Sequence, residues 1–235
     1  AVMATPTLRV LREHLPGSFI GALARPGIDA LLTGATFFDE VHVASAQGMM
    51  GPKRAAAKVR PRRYDAAVLL TNSFSTALTT RLAGIPRRFG YDRDARGLLL
   101  TDPLMPLRRR DVEPFSRSTT APAEWAPIPA CEYYFALARA FLEDRGVPIG
   151  PPGPMELAVT KSDELAADDL LESLPRDTAS RPRATDKPGP LVILNPGGND
   201  PAKRWPADRF AALADYLVNN HHATVLVSGA PAERE

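Results

Sequence analysis

The stretch LVILNPGGNDPAKRWPADRFAALADYL, residues 191–217, decides how this chain is read. Leu191, Val192, Ile193 and Leu194 form a short apolar run with the length and composition of a buried strand. The run breaks into Asn195, Pro196, Gly197, Gly198, Asn199, Asp200 and Pro201, and Lys203, Arg204, Trp205 and Pro206 follow. Beyond Ala207, the residues Phe210, Leu213, Ala214 and Leu217 recur at helical spacing. A strand, a glycine-rich turn with two cations and a helix N-terminus thus succeed one another. Backbone amides, helix dipole and fixed positive charge converge there, as they do where proteins hold phosphate groups. The competing reading is an ordinary strand-to-helix turn with a solvated Lys203. The turn is not a Walker loop, in which Ser or Thr follows the Lys, and it is not a G-x-G-x-x-G dinucleotide loop. A nucleotide bound here is held by another fold.

Outward from this stretch the same alternation continues. Thr224 to Ser228 reads as a further strand, and Pro175 to Pro190, almost devoid of apolar residues, reads as a linker. Before it, Ser18 to Leu23, Glu40 to Val43, Ala66 to Leu70 and Arg88 to Tyr91 read as strands. Helices are predicted around Leu8, Leu11 and Leu15, over Pro26 to Leu32 and Gly51 to Lys58, and around Ala77, Leu78 and Leu82. Two more are predicted around Tyr134 to Leu142 and over Ser162 to Leu174, the latter with Ser162, Asp163 and Glu164 at its positive end. Prolines and arginines from Thr101 to Pro129 suggest a long surface loop. Short strands alternating with helices predict an α/β fold with parallel sheets covered on both faces. After the linker, two strands and one helix cannot cover both faces of a sheet, so the second unit reads as incomplete.

Composition narrows the function classes. With 235 residues and 44% apolar content the chain can build one large or two modest cores. A formal charge of +2 rules out a polycation, and the local basic segments, Lys53 to Arg63 and Arg108 to Arg110, are short, proline-broken and without interleaved aromatics. That composition argues against a nucleic-acid partner. The single cysteine, Cys131, cannot form an internal disulfide and points to a reducing cytoplasm. No apolar run approaches the ~20 residues that span a bilayer, and no secretory signal pattern is visible. His14, His42, His221 and His222 lack metal-ligand spacing.

Two separated segments then point to one family. Arg63 to Leu69, Asn72 to Ser75 and Ala83 to Pro86 form the first; Pro196 to Gly198 with Pro201 to Pro206 form the second. Together they resemble the lipopolysaccharide heptosyltransferases of glycosyltransferase family 9, in the heptosyltransferase II branch. Val225 to Gly229, followed by Glu233 and Glu235, resembles the next strand and turn of that branch. The resemblance implies a GT-B architecture of two Rossmann-like domains facing each other across a cleft. Residues 1–174 would form the acceptor-side N-terminal domain without its first strand. Residues 175–190 would be the linker, and 191–235 the start of the C-terminal nucleotide-sugar domain.

The implied reaction is inverting transfer of heptose from ADP-heptose to the lipid-linked inner core of lipopolysaccharide, in the cytoplasm at the inner membrane. The resemblance leaves open peripheral contact with that membrane. No metal or cofactor is required, because Lys203 and backbone amides would stabilise the departing diphosphate. The family's general base is an Asp in a Gly-Asp strand end, expected before Ala1, so no catalytic residue is assigned within the chain. Its later donor-gripping Asp-Ser-Gly and His motif is expected beyond Glu235. On that reading the 235 residues are a fragment without transferase activity of their own.

Candidate binding residues follow by position. Lys203 would meet donor phosphate or acidic acceptor groups, and Gly197 and Gly198 would let the backbone approach the ligand. Trp205 and Pro206 would fix the helix entry. Asn72, Ser73 and Ser75 sit where a strand's carboxyl end meets a helix, the usual ligand side of such sheets, although capping alone explains one of them. Thr5 and Pro6 would line the cleft beside the absent base. The basic segment from Lys53 to Arg63 would meet anionic headgroups or acceptor phosphates, or be a solvated helix face. A family 9 relative with another nucleotide sugar or acceptor is the alternative within enzymes. A noncatalytic relative binding a nucleotide sugar or another anionic ligand is the alternative outside them.

Overall fold

A computed structural model describes residues 1–106, 126–174, 189–197 and 204–229. The chain divides into two compact units, Ala1–Asp169 and Leu170–Glu235. In the first, helix α1 (Thr5–His14) precedes strand β1 (Gly21–Ala24), the single-turn helix α2 (Ile28–Leu31), strand β2 (Glu40–Val43) and helix α3 (Gly51–Val59). Strand β3 (Ala66–Leu69), helix α4 (Phe74–Leu82), strands β4 (Arg87–Tyr91) and β5 (Asp102–Leu104), and helix α5 (Ala130–Glu143) complete its core. Helix α6 (Lys161–Ser173) follows, with Thr160 and Asp163 exchanging hydrogen bonds around its first turn. The second unit holds strand β6 (Leu191–Leu194), helix α7 (Ala207–His221) and strand β7 (Thr224–Val227).

Among the described residues every strand pairing is parallel: β1 with β2, β4 between β3 and β5, and β6 with β7. The fold class is the α/β type with parallel sheets anticipated above. The β3–β4–β5 sheet shows why its residues alternate. Ala66, Val68, Phe89 and Tyr91 face one core, with Val10 and Leu11 of α1 and Phe135, Leu137, Ala138, Phe141 and Leu142 of α5. Ala67 and Leu69 face the opposite side, toward Ala56 and Val59 of α3, Ala77 of α4, and Ala83, Ile85 and Leu100. A strand covered on both faces must be apolar at successive positions, as Ala66–Leu69 is. Phe89 and Phe141 meet edge to face with ring centroids 5.8 Å apart, locking α5 onto β4.

Two expectations need correction. The first strand begins at Gly21 and runs to Ala24, rather than from Ser18 to Leu23. The Ile20 carbonyl still accepts from the Asp39 N–H (2.8 Å), but side chains take the other groups: the Ile20 N–H donates to the Asp39 carboxylate (2.6 Å), and Arg12 donates to the Ser18 carbonyl (3.2 Å). The segment beginning at Thr101 is not all loop, because Asp102–Leu104 forms β5. Pro103 reads as a strand breaker, yet β5 is an edge strand, where a missing N–H is tolerated. Residues 107–125 of the expected loop and 175–188 of the expected linker lie outside the described residues.

Leu137 and Leu142 are completely buried. Leu142→Ala is expected to lower the unfolding free energy by roughly 2–5 kcal/mol through lost burial and a residual cavity, measured by urea denaturation. Arg87 donates to Asp102 (2.6 Å) and to Asp144 (2.9 Å), tying β4 to β5 and to the end of α5. The Arg87 hydrogen bond, with a second from the Thr101 hydroxyl, holds the Asp102 carboxyl below the usual carboxylate range. Its contribution is therefore present above the ordinary value of about 4 and lost as pH falls through the lower folded value. The melting temperature should drop on acidification below about pH 4, and Asp102→Asn should flatten that drop.

Candidate functional site

The carboxyl edge of β3 and β4 gathers the polar groups of the first unit. Leu70, Thr71, Asn72 and Ser73 carry the chain from β3 into α4. Ser73 is extended (φ −68°, ψ 140°) and its Oγ accepts from the Thr76 N–H at 3.4 Å, so it caps α4. The hydroxyls of Ser75, Ser73, Thr76 and Thr71 form a continuous chain with links of 3.0–3.3 Å. Asn72 is half-buried. Its Oδ1 accepts from Arg96 Nη2 and from the Tyr133 hydroxyl, each at 3.3 Å, and its Nδ2 donates to the Tyr133 hydroxyl at 3.1 Å.

Arg96 lies at the centre of this edge and is fully buried. Its Nε donates to the Tyr91 carbonyl at 2.8 Å, its Nη1 to the Thr71 carbonyl, and its Nη2 to Asn72. One guanidinium thus joins the ends of two neighbouring parallel strands. Burial pushes it below its usual pKa, and among the described residues no carboxylate pairs with it. The backbone is shaped to deliver it. Asp94 (φ 56°) and Ala95 (φ 59°) both adopt the left-handed conformation just before Arg96. For Ala95, which lacks a polar side chain to compensate, that conformation costs roughly 1–2 kcal/mol. A Cβ on Gly90 would stand 3.2 Å from both Arg96 Nη2 and the Leu69 Cβ, so a side chain there would crowd the guanidinium. Tyr133 is fixed in turn: its ring stacks on Tyr91 (centroids 4.1 Å apart, 23° between planes), and the Tyr91 hydroxyl donates to its carbonyl at 2.8 Å. Burial, reinforced by Tyr133, pushes the Tyr91 phenol above its usual pKa.

Thr5 and Pro6 lie at the start of α1 and are sealed from solvent. The Thr5 hydroxyl donates to the Val2 carbonyl (2.9 Å) and accepts from the Glu156 N–H (3.0 Å). In the second unit, Gly197 is exposed after β6, and its N–H donates to Asn195 Oδ1 at 3.3 Å, a turn closed by its own side chain. Gly198 and Lys203 lie outside the described residues. Trp205 packs edge to face on Phe210 (5.1 Å), at the entry to α7. A hollow of about 640 Å³ bordered by Arg60, Arg63, Tyr64 and Asp65 opens at the amino end of β3, opposite the edge that carries Asn72. Among the described residues no His, Cys, Asp and Glu side chains gather in threes to hold a metal.

The profile of Glycosyltransferase family 9 (heptosyltransferase) matches residues 53–235, which takes in β3, the Asn72–Ser75 turn, Arg96 and the turn after β6. The chain belongs to glycosyltransferase family 9. Lipopolysaccharide heptosyltransferase 2 of Salmonella typhimurium and that of Escherichia coli are each 28% identical to it over 97% of its length. The chain spans about 60% of the length of these curated relatives. A solved E. coli ADP-heptose LPS heptosyltransferase II superposes with a TM-score of 0.71 at 24% identity, over 99% of this chain and 61% of that one. The family 9 glycosyl transferase of Veillonella parvula gives 0.73 at 21% identity, over 99% and 60%. These two likenesses show the fold.

Within this family 9 chain, Asn72, Ser73 and Ser75 stand together at one strand end, as their spacing predicts. Arg96 and Tyr133 escape a reading of the sequence. An arginine in a polar turn, Asp94-Ala95-Arg96-Gly97, reads as solvated, and Tyr133 reads as one more residue of an amphipathic helix. Ser73→Ala removes the α4 cap and should destabilise the protein by about 1 kcal/mol, seen as a lower denaturation midpoint with an unchanged slope.

Proposed function

We propose that the protein transfers heptose from ADP-heptose to the lipid-linked inner core of lipopolysaccharide, in the cytoplasm at the inner membrane. The observation that carries this reading is the single family match running through both the Asn72–Ser75 edge and the glycine turn after β6. The names of the matched heptosyltransferases supply the donor and the acceptor.

Each unit contributes a different kind of recognition. In the second, Gly197 and Gly198 carry no side chains to hold a ligand off the backbone, and Lys203 would add a fixed charge for the departing diphosphate. In the first, the half-buried Asn72 and Ser75 and the exposed Ser73 offer directional hydrogen bonds to acceptor oxygens. Thr5 and Pro6 anchor α1 beneath the acceptor side. Lys53, Arg54, Arg60, Arg62 and Arg63 are exposed along α3 and the turn after it, a basic surface suited to anionic headgroups. No described helix is long and apolar enough to cross a membrane.

The complete gene product should release ADP from ADP-heptose when inner-core lipopolysaccharide lacking the second heptose is supplied, and a strain without heptosyltransferase II should regain full-length core. Lys203→Ala should lower turnover at subsaturating donor on the order of 10²-fold. Turnover with UDP- or GDP-sugars and none with ADP-heptose would overturn the donor assignment, and unchanged turnover in Lys203→Ala would remove Lys203 from the site.

A further inference from the structure

We propose that Arg96 is a positioning residue for the acceptor: from its buried seat it orients the Asn72 carboxamide so that one Nδ2 N–H is left to donate to an acceptor oxygen. The inference rests on assigning the carboxyl edge of β3 to the acceptor.

The hydrogen-bond inventory leads there. A carboxamide has two faces of opposite polarity, and their assignment follows from the surrounding network. Arg96 only donates, so the atom of Asn72 facing Nη2 is Oδ1; turned over, the amide would set donor against donor. Oδ1 is further occupied by the Tyr133 hydroxyl. Of the two N–H groups on Nδ2, the Tyr133 hydroxyl takes one, and the other has no partner among the described residues. Asn72 is half-buried, so this remaining donor is neither lost in the core nor freely rotating in water.

Both groups that hold Asn72 are themselves immobilised. Tyr133 stacks on Tyr91 and receives its hydroxyl proton at the backbone carbonyl. Arg96 is gripped by two main-chain carbonyls and packs close against Gly90. The turn that delivers it carries two consecutive left-handed residues, Asp94 and Ala95. It also brings Gly97 so close to Asp92 that a Cβ would stand 2.5 Å from the carboxylate. Backbone strain concentrated beside a ligand-facing edge, and a cation buried with no carboxylate bonded to it among the described residues, are both costs that packing alone does not explain. Orienting a hydrogen-bond donor in advance of binding does explain them.

The deciding variant is Asn72→Asp in the complete gene product. Aspartate retains the acceptor that Arg96 requires and adds an ion pair, while it deletes the N–H. A structural role for Asn72 therefore predicts an unimpaired protein. Affinity for deacylated inner-core oligosaccharide and for ADP-heptose is measured calorimetrically alongside the melting temperature. We expect Asn72→Asp to melt no lower than wild type yet to bind the oligosaccharide roughly tenfold more weakly. Asn72→Ala, which adds no charge, should show the same loss. Arg96→Lys should weaken oligosaccharide binding similarly, its combination with Asn72→Ala should be no weaker than Asn72→Ala alone, and ADP-heptose affinity should be unchanged throughout. Wild-type oligosaccharide affinity in Asn72→Asp and Asn72→Ala, losses that multiply in the double variant, or a parallel loss of ADP-heptose affinity would overturn the inference. If Arg96→Lys does not fold, the two Asn72 variants decide alone. Binding that follows the expected pattern without heptose transfer by wild type would overturn the transferase reading and leave the role of Arg96 standing.

Discussion

A guanidinium leaves water at a cost of several kcal/mol unless its donors are met, and Arg96 meets that requirement with the carboxyl ends of β3 and β4. The guanidinium donates to both the Thr71 and the Tyr91 carbonyls, the latter also accepting from the Arg93 N–H at 3.1 Å, so the cation and the strand ends satisfy one another. The consequence reaches beyond the pair. Parallel neighbours ordinarily need a crossover of a dozen or more residues, usually a helix. Between β4 and β5 the chain uses only the segment from Asp92 to Thr101, containing a turn of 3-10 helix at Gly97–Leu99. So short a return is possible because the turn folds inward around the Arg96 side chain, and its left-handed residues are held there by the bonds the guanidinium makes.

The two faces of the sheet give this arrangement its rigidity. On one, the α5 aromatics press on β4: Phe141 against Phe89, Tyr133 against Tyr91. On the other, the buried Leu100 completes a cluster with Leu69 and Ala77, so the same turn that supplies Arg96 also supplies core. Displacing the turn would open both the polar edge and the apolar layer beneath it. Arg145, whose guanidinium lies 3.8 Å from the centre of the Phe141 ring, and the Arg87 bridge to Asp102 and Asp144 fasten the far end of α5. Arg87 thus joins sheet to helix at one end, and the Tyr133 hydroxyl bonded to Asn72 joins them at the other.

Periodicity made much of this legible. The runs Ala66–Leu69 and Leu191–Leu194 announced buried strands, and Leu137, Phe141 and Leu142 lie on the face of α5 that their spacing assigned to the core. Asn72, Ser73 and Ser75 could be placed at a strand's carboxyl end because a polar run between a buried strand and a helix has few other locations. What stayed hidden depends on long-range geometry. Pro103 looks like a breaker until β5 is known to be an edge. Arg96 looks solvated because no local pattern reveals that Asp94 and Ala95 turn left-handed, or that Gly90, six positions earlier, leaves a space of guanidinium size. The start of β1 is hidden for a related reason: the side chains of Asp39 and Arg12, remote in sequence, take the Ile20 N–H and the Ser18 carbonyl.

The contrast between the two candidate surfaces follows from what each would recognise. A diphosphate presents charge in many directions, so backbone amides and one cation near a glycine turn suffice, and among the described residues the Asn195 side chain closes the start of the turn on Gly197. A sugar acceptor presents hydroxyls whose hydrogen bonds are directional, and each protein group that meets them must be oriented before binding or lose entropy in doing so. A lone asparagine on a solvated loop would sample both amide orientations. Surrounded by Arg96 and Tyr133, Asn72 keeps one. The strain in the Asp94–Ala95 turn and the burial of an unpaired cation are therefore placed where directional recognition has most use for them, at the end of the sheet rather than in its core.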